Sequence, residues 1–192
     1  MQIEITKSTD EELSFTAKEA STSLVNAVRR IGMNSIPTFG IDKVTFYENT
    51  SSLFDEYIAN RMGLIPISTP EGYTEKDVIL FSLDKSGPGI VYSKSLKSAD
   101  AKVSVANTAI PIIELAEGQQ LRVEAKARLG TAKEHARFQP GLIAYEKAGD
   151  SFKVIVDSFG QMTAKELMMK SFEVLEDKLK ELKEALKKKS KE

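Results

Sequence analysis

His135 is the one histidine of the chain, set in Lys133-Glu134-His135-Ala136-Arg137-Phe138-Gln139-Pro140, and there is no cysteine. An imidazole acting as general base needs a nucleophile beside it and a third group to orient it. Nothing near His135 makes such a set, so it reads as a hydrogen-bonded structural residue. Zero cysteines exclude disulfides, Fe–S clusters, thiol nucleophiles and Cys-based zinc sites, and one histidine cannot build a multi-His metal site. Gly130-Thr131-Ala132-Lys133 lacks the spacing of a phosphate loop, and Ser86-Gly87-Pro88-Gly89 lacks the strand-to-helix context. Carboxylates are plentiful but fall at no spacing that suggests acid–base work.

The residue types that do carry a signal point to association. Met168, Phe172, Leu175, Leu179, Leu182 and Leu186 are spaced 4, 3, 4, 3, 4, a heptad seam kept over nearly three heptads. A helix lying on its own sheet explains the first half, where Leu167 and Val174 widen the stripe. From Leu179 onward only a narrow leucine seam with charged flanks remains, and a partner helix is the favoured reading. A helix of about 25 residues spans about 38 Å, more than a small domain needs. The tail from Lys178 to Glu192 holds seven Lys and three Glu, a local charge of +4. Cations favour a helix C-terminus and keep it soluble, and that reading outweighs nucleic-acid contact. Arg29-Arg30 sits in an earlier helical stretch. Neighbours on a helix stand about 100° apart, so at least one is exposed. It is either solvated or a bidentate anchor for a partner's carboxylates.

These residues need elements to hold them. Ile3 and Ile5, then Leu13 and Phe15, alternate around Ser8-Thr9-Asp10, the pattern of a hairpin. A helix follows, capped by Ser21 or Thr22, with Leu24, Ala27, Val28 and Ile31 on one stripe, and Pro37 stops it. Ile41, Val44 and Phe46 suggest a strand of uncertain start. A short helix over Leu53 to Met62 ends at Gly63, read as a left-handed cap. Short β-like runs follow: Val78 to Leu83, Gly89 to Leu96, Ala109 to Leu115 and Leu121 to Leu129. Ser151 to Phe159 is a last strand, Gly160 breaks it, and Thr163-Ala164-Lys165-Glu166 is a capping box opening a long helix to about Lys188.

The chain therefore reads as α+β: ββαβ, a β-rich middle, then βα. Residues 1–48 and 149–192 close into one discontinuous sheet-and-helix domain, and residues 49–148 are inserted into one of its loops. With 41% hydrophobic and 29% charged residues the composition is globular, and 27 cations against 28 anions exclude a broadly basic nucleic-acid binder. No apolar run approaches the roughly 18 residues of a membrane span. Met1-Gln2-Ile3-Glu4-Ile5 lacks the character of a signal peptide, so a soluble, cytoplasmic protein is the expectation.

Several segments together resemble the RNA polymerase α-type subunits, in particular their archaeal D-type members, related to bacterial α and the third-largest eukaryotic polymerase II subunit. They are Ser23-Leu24-Val25-Asn26-Ala27-Val28-Arg29-Arg30-Ile31, Ile36-Pro37-Thr38 and Ile41-Asp42. Tyr47-Glu48-Asn49-Thr50-Ser51, Asp55-Glu56 and Arg61-Met62-Gly63-Leu64-Ile65-Pro66 follow. Val91-Tyr92-Ser93, Leu96-Lys97-Ser98, Gly118-Gln119, Ala127-Arg128-Leu129-Gly130 and the block around His135 complete the set. The resemblance implies an α-subunit-type dimerisation domain interrupted by an insert domain. It implies a heterodimer with subunit L, sealed by Leu24, Val28 and Ile31 of the first helix and Met168, Phe172, Leu175, Leu179, Leu182 and Leu186 of the last. That pair would be the platform for the second-largest subunit and the small subunits N and P, with Arg29 and Arg30 near the large-subunit contact. The segment from Leu53 to Ile67 and the block around His135 would face other polymerase subunits. Nucleotidyl transfer would reside in the large subunits, so no catalytic or metal residue is expected here. Many archaeal members carry an Fe–S domain before the last strand. Here Tyr145-Glu146-Lys147-Ala148-Gly149-Asp150 bridges that gap, so no cofactor is expected. Direct DNA contact and membrane contact are not expected either. A homodimeric α-like scaffold and a free-standing enzyme with a carboxylate site are the alternatives.

Overall fold

Alternation, caps and breakers organise the chain of this computed structural model, which describes residues 2–189. In chain order the elements are β1 (Gln2–Ser8), β2 (Glu12–Lys18), α1 (Thr22–Asn34), β3 (Thr38–Asn49), α2 (Asp55–Gly63), β4 (Val78–Ser86) and β5 (Gly89–Tyr92). Then come β6 (Lys97–Ser98), β7 (Pro111–Leu115), β8 (Gln120–Gly130), β9 (Gly141–Ala148), β10 (Ser151–Ser158) and α3 (Ala164–Lys189). The fold is α+β, and the chain divides into two compact units.

The first unit is discontinuous. Its antiparallel sheet runs β1-β2-β10-β9. The expected hairpin forms, with Ile3 opposite Ala17 and Ile5 opposite Phe15. Leu13, Phe15 and Ala17 of β2 face inward beside Phe152, Val154 and Val156 of β10, and α1 and α3 pack over them. Ser21 caps α1 through Leu24 N–H at 3.2 Å, and the helix ends at Asn34, before Pro37. The capping box of α3 is reciprocal: Thr163 N–H donates to Glu166 Oε2 at 2.8 Å, and Glu166 N–H to Thr163 Oγ1 at 3.2 Å. The backbone N–H and then the hydroxyl of Thr163 hold the Glu166 carboxyl below the usual glutamate range.

The second unit is contiguous. Its sheet runs β3-β8-β4-β6, with β5-β7 as a separate ribbon. Phe39, Ile41, Phe81, Val123, Ala125 and Ala127 fill its core together with Ile58 and Met62 of α2. His135 caps a single helical turn at Ala136–Phe138, its Nδ1 accepting from Arg137 N–H at 3.1 Å and from Arg137 Nε at 3.2 Å. That is the structural role expected of a lone histidine.

Three expectations change. The chain passes from one unit to the other at Ile36/Pro37 and at Gln139/Pro140 rather than at 48/49 and 148/149. Pairing is the reason: β3 joins β8 from Thr38 to Asn49, so it belongs to the second unit, whereas β9 pairs along its whole length with β10 in the first. Strand β9 itself was not foreseen. Gly63 is no left-handed cap, because its φ is not positive. It is the last helical residue, and a Cβ there would meet Arg137 Nη1 at 3.3 Å.

Candidate partner-binding surface

Edge strand β1 is where the first unit leaves its sheet uncovered. Ile3 and Ile5 share the inward face with Phe15 and Ala17, yet they are 53% and 61% exposed, because the helices cover β2, β10 and β9 but stop short of β1. An apolar trough results. One stretch is lined by Ile3, Leu24, Val25, Val28 and Phe172, and the next by Ile3, Ile5, Leu13, Met169 and Phe172. Contiguous exposed apolar surface is the kind of feature at which association sites form, and the trough is the candidate here.

The predicted seam divides at Leu175. Met168 is buried against the sheet, and Phe172 and Leu175 are partly buried on the same core. Leu179, Leu182 and Leu186 are 57%, 57% and 63% exposed and touch no core. The residues Ser190, Lys191 and Glu192 of the predicted basic tail lie outside the described residues. On α1 only Val28 and Gly32 are buried, while Leu24, Ala27 and Ile31 are half-covered. Gly32 lets α1 approach α3: a Cβ there would fall on Ile143 Cδ1 and Ser171 Oγ. The sequence reading missed Gly32, Ile3, Ile5 and Met169. The cross-strand pairing of Ile3 and Ile5 with residues of the core-facing stripe was the available signal.

Arg29 and Arg30 separate as neighbours on a helix must. Arg29 is partly buried beside the trough, donating from Nε and Nη2 to Asn26 Oδ1, both at 3.2 Å. Arg30 is exposed, and among the described residues neither arginine has a carboxylate within ion-pair distance. In the second unit Arg128 lies 5.0 Å from the Phe138 ring centroid and pairs with Asp42 at 3.2 Å and Glu134 at 3.0 Å. Those carboxylates are engaged in structure. Among the described residues no group of three or more His, Asp or Glu side chains is placed to hold a metal, and no helix is long and apolar enough to cross a membrane.

A family model described as the RNA polymerase Rpb3/RpoA insert domain matches residues 41–148. This chain belongs to the Rpb3/RpoA family of RNA polymerase subunits. The match takes in nearly all of its second unit, from within β3 through β8, and runs on to the end of β9. Curated relatives carry the name DNA-directed RNA polymerase subunit Rpo3. That of Methanocaldococcus jannaschii is 43% identical over 169 residues, 88% of this chain and 86% of the relative. That of Pyrococcus furiosus is 43% identical over 153 residues, 76% of this chain and 59% of the relative. That of Halobacterium salinarum is 37% identical over 156 residues, 81% of this chain and 63% of the relative. The chain thus spans about three-fifths of the length of the Pyrococcus furiosus relative it matches.

Proposed function

We propose that this Rpb3/RpoA-type chain is a non-catalytic assembly subunit of a cytoplasmic DNA-directed RNA polymerase. It pairs with subunit L, and the pair is the platform on which the second-largest subunit and small subunits N and P assemble. The observation that carries the reading is the apolar trough along Ile3 and Ile5, continuous through Met169 and Phe172 with the half-covered face of α1. The exposed leucines of α3 extend the same helix beyond any core of its own. Isolated helices are marginal in water, so a helix of this kind gains most of its stability from a partner. The capture of subunit L therefore covers Leu24, Val28, Ile31, Phe172 and the leucines from Leu175 to Leu186. No Fe–S cluster is part of this proposal, since the chain offers no cysteine to ligate one.

Sizing chromatography of the full chain, alone and with subunit L, tests the reading. A one-to-one complex is expected. A chain that ignores subunit L and forms only a homodimer would replace it with the self-pairing scaffold. Arg29 and Arg30 are assigned to the later step. Arg30→Ala, at an exposed position outside the trough, leaves capture of subunit L unchanged, and Arg29→Ala with Arg30→Ala weakens capture of the second-largest subunit by about 2–5 kcal/mol if the pair becomes buried. Titration of that large chain against preformed pair measures it, and equal capture reduces both residues to surface charge.

A further inference from the structure

The leucine stripe Leu179, Leu182 and Leu186 is bracketed by lysines. At 100° per residue, Lys178 stands about 70° to one side of the stripe's midline and Lys183 about 70° to the other. Both are exposed, and among the described residues neither has a carboxylate within ion-pair distance. Lys180, farther round the helix, is engaged instead, with Glu176 at 2.9 Å and Asp177 at 3.4 Å. Glu176 is the carboxylate nearest the stripe, and Lys180 holds it. Lys183 and Lys187 share one shallow surface with the three leucines. The stripe thus presents apolar side chains between positive borders, whereas the chain as a whole is nearly neutral at -1.

We propose that the far half of α3 takes a partner helix with its own leucine-type heptad and carboxylates at the bordering positions, and that the lysines reject a second copy of this chain. In parallel paired helices a bordering residue meets the opposite border of the partner's next heptad. Two parallel copies would set Lys178 of each against Lys183 of the other. An antiparallel pair offers Lys183 only Glu176, which Lys180 already holds. A helix with glutamate borders satisfies both lysines in either direction. Like-charge borders select partners in this way without adding apolar contact. The inference rests on the reading of α3 as a docking helix and specifies the chemistry of what docks.

The experiment uses the full chain and two synthetic helical peptides with identical leucine heptads, one bordered by glutamate and one by lysine. Fluorescence anisotropy in about 50 mM salt should show at least tenfold tighter binding of the glutamate peptide, fading towards about 1 M salt as screening shortens to a few ångströms. In K178E/K183E, two exposed changes checked for retained fold by circular dichroism, the preference should reverse. Equal affinity for both peptides, an unchanged preference in the variant, or binding of neither overturns the proposal. So does a wild-type homodimer that Leu182→Asp dissociates. Capture of subunit L is scored separately, so a platform without charge selection is distinguishable from no platform.

Discussion

A side chain larger than hydrogen has no room at Gly32. The Cβ of an alanine there would overlap Ile143 Cδ1 and the Ser171 hydroxyl, which donates to Leu167 O at 2.7 Å inside the core. Gly32→Ala is therefore expected to destabilise the first unit by about 1–3 kcal/mol through overpacking, measured by urea denaturation. The seam residues divide on the same principle of what surrounds them. Leu182→Asp alters an exposed position, so stability should change by no more than about 0.5 kcal/mol while pairing with subunit L is lost. Met168→Asp would bury a carboxylate among Phe15, Val154 and Phe172, and the isolated chain should fail to fold. If Leu182→Asp retained full pairing, the exposed leucines would not belong to the interface. Leu175 gives a less clean answer, because it is partly packed on its own core.

At the scale of elements, α3 depends on its first turn. Thr163→Ala removes one side of the capping box and should cost about 1 kcal/mol, read from the thermal midpoint of the first unit. The same box sets an acid limit. Glu166 is held below the usual range by Thr163, and Glu134 by the Thr131 backbone N–H and then Arg128. Carboxyls depressed in the fold stabilise it fully above their unfolded value of about 4.3 and lose that contribution as pH falls through the lower folded value. Stability should be level near neutrality and decline below about pH 4.5, less steeply in Glu166→Gln. Elements whose period and punctuation agree were legible: the first hairpin, both caps, β8 with its wet and buried faces, and the long helix. Strand β9 was not, because only Ile143 and Tyr145 point inward, Leu142 is exposed, and Glu146-Lys147 reads as linker. The start of β3 was obscured by Pro37, whose usual reading as a stop hides that Thr38 already pairs with Gly130. The spacing of the leucine stripe on α3 could be read from the sequence alone, though not which of its members the chain's own core covers. The trough could not, because alternation in β1 says which face Ile3 and Ile5 take but not that α1 and α3 end short of them.

For the whole molecule, the decisive feature is that one unit is continuous in sequence and the other is not. Residues 37–139 carry their own core, and the Thr38 hydroxyl donates to Phe138 O at 2.7 Å, joining the two ends of the segment. This segment expressed alone should unfold in a single cooperative transition, followed by calorimetry. Non-cooperative melting would show that it needs the remainder of the chain. The first unit has no such independence: β2 has β1 on one side, but on the other Leu13, Phe15 and Ala17 pair with Val156, Val154 and Phe152 of the distant β10. During synthesis, all of residues 37–139 must leave the ribosome before that pairing can begin. The insert then matures first, and the nascent N-terminal hairpin and α1 wait with their apolar faces in water, a client state for holding chaperones. Ribosome-bound chains halted with residue 145 just outside the exit tunnel should resist protease across the insert and remain cleavable between β2 and α1.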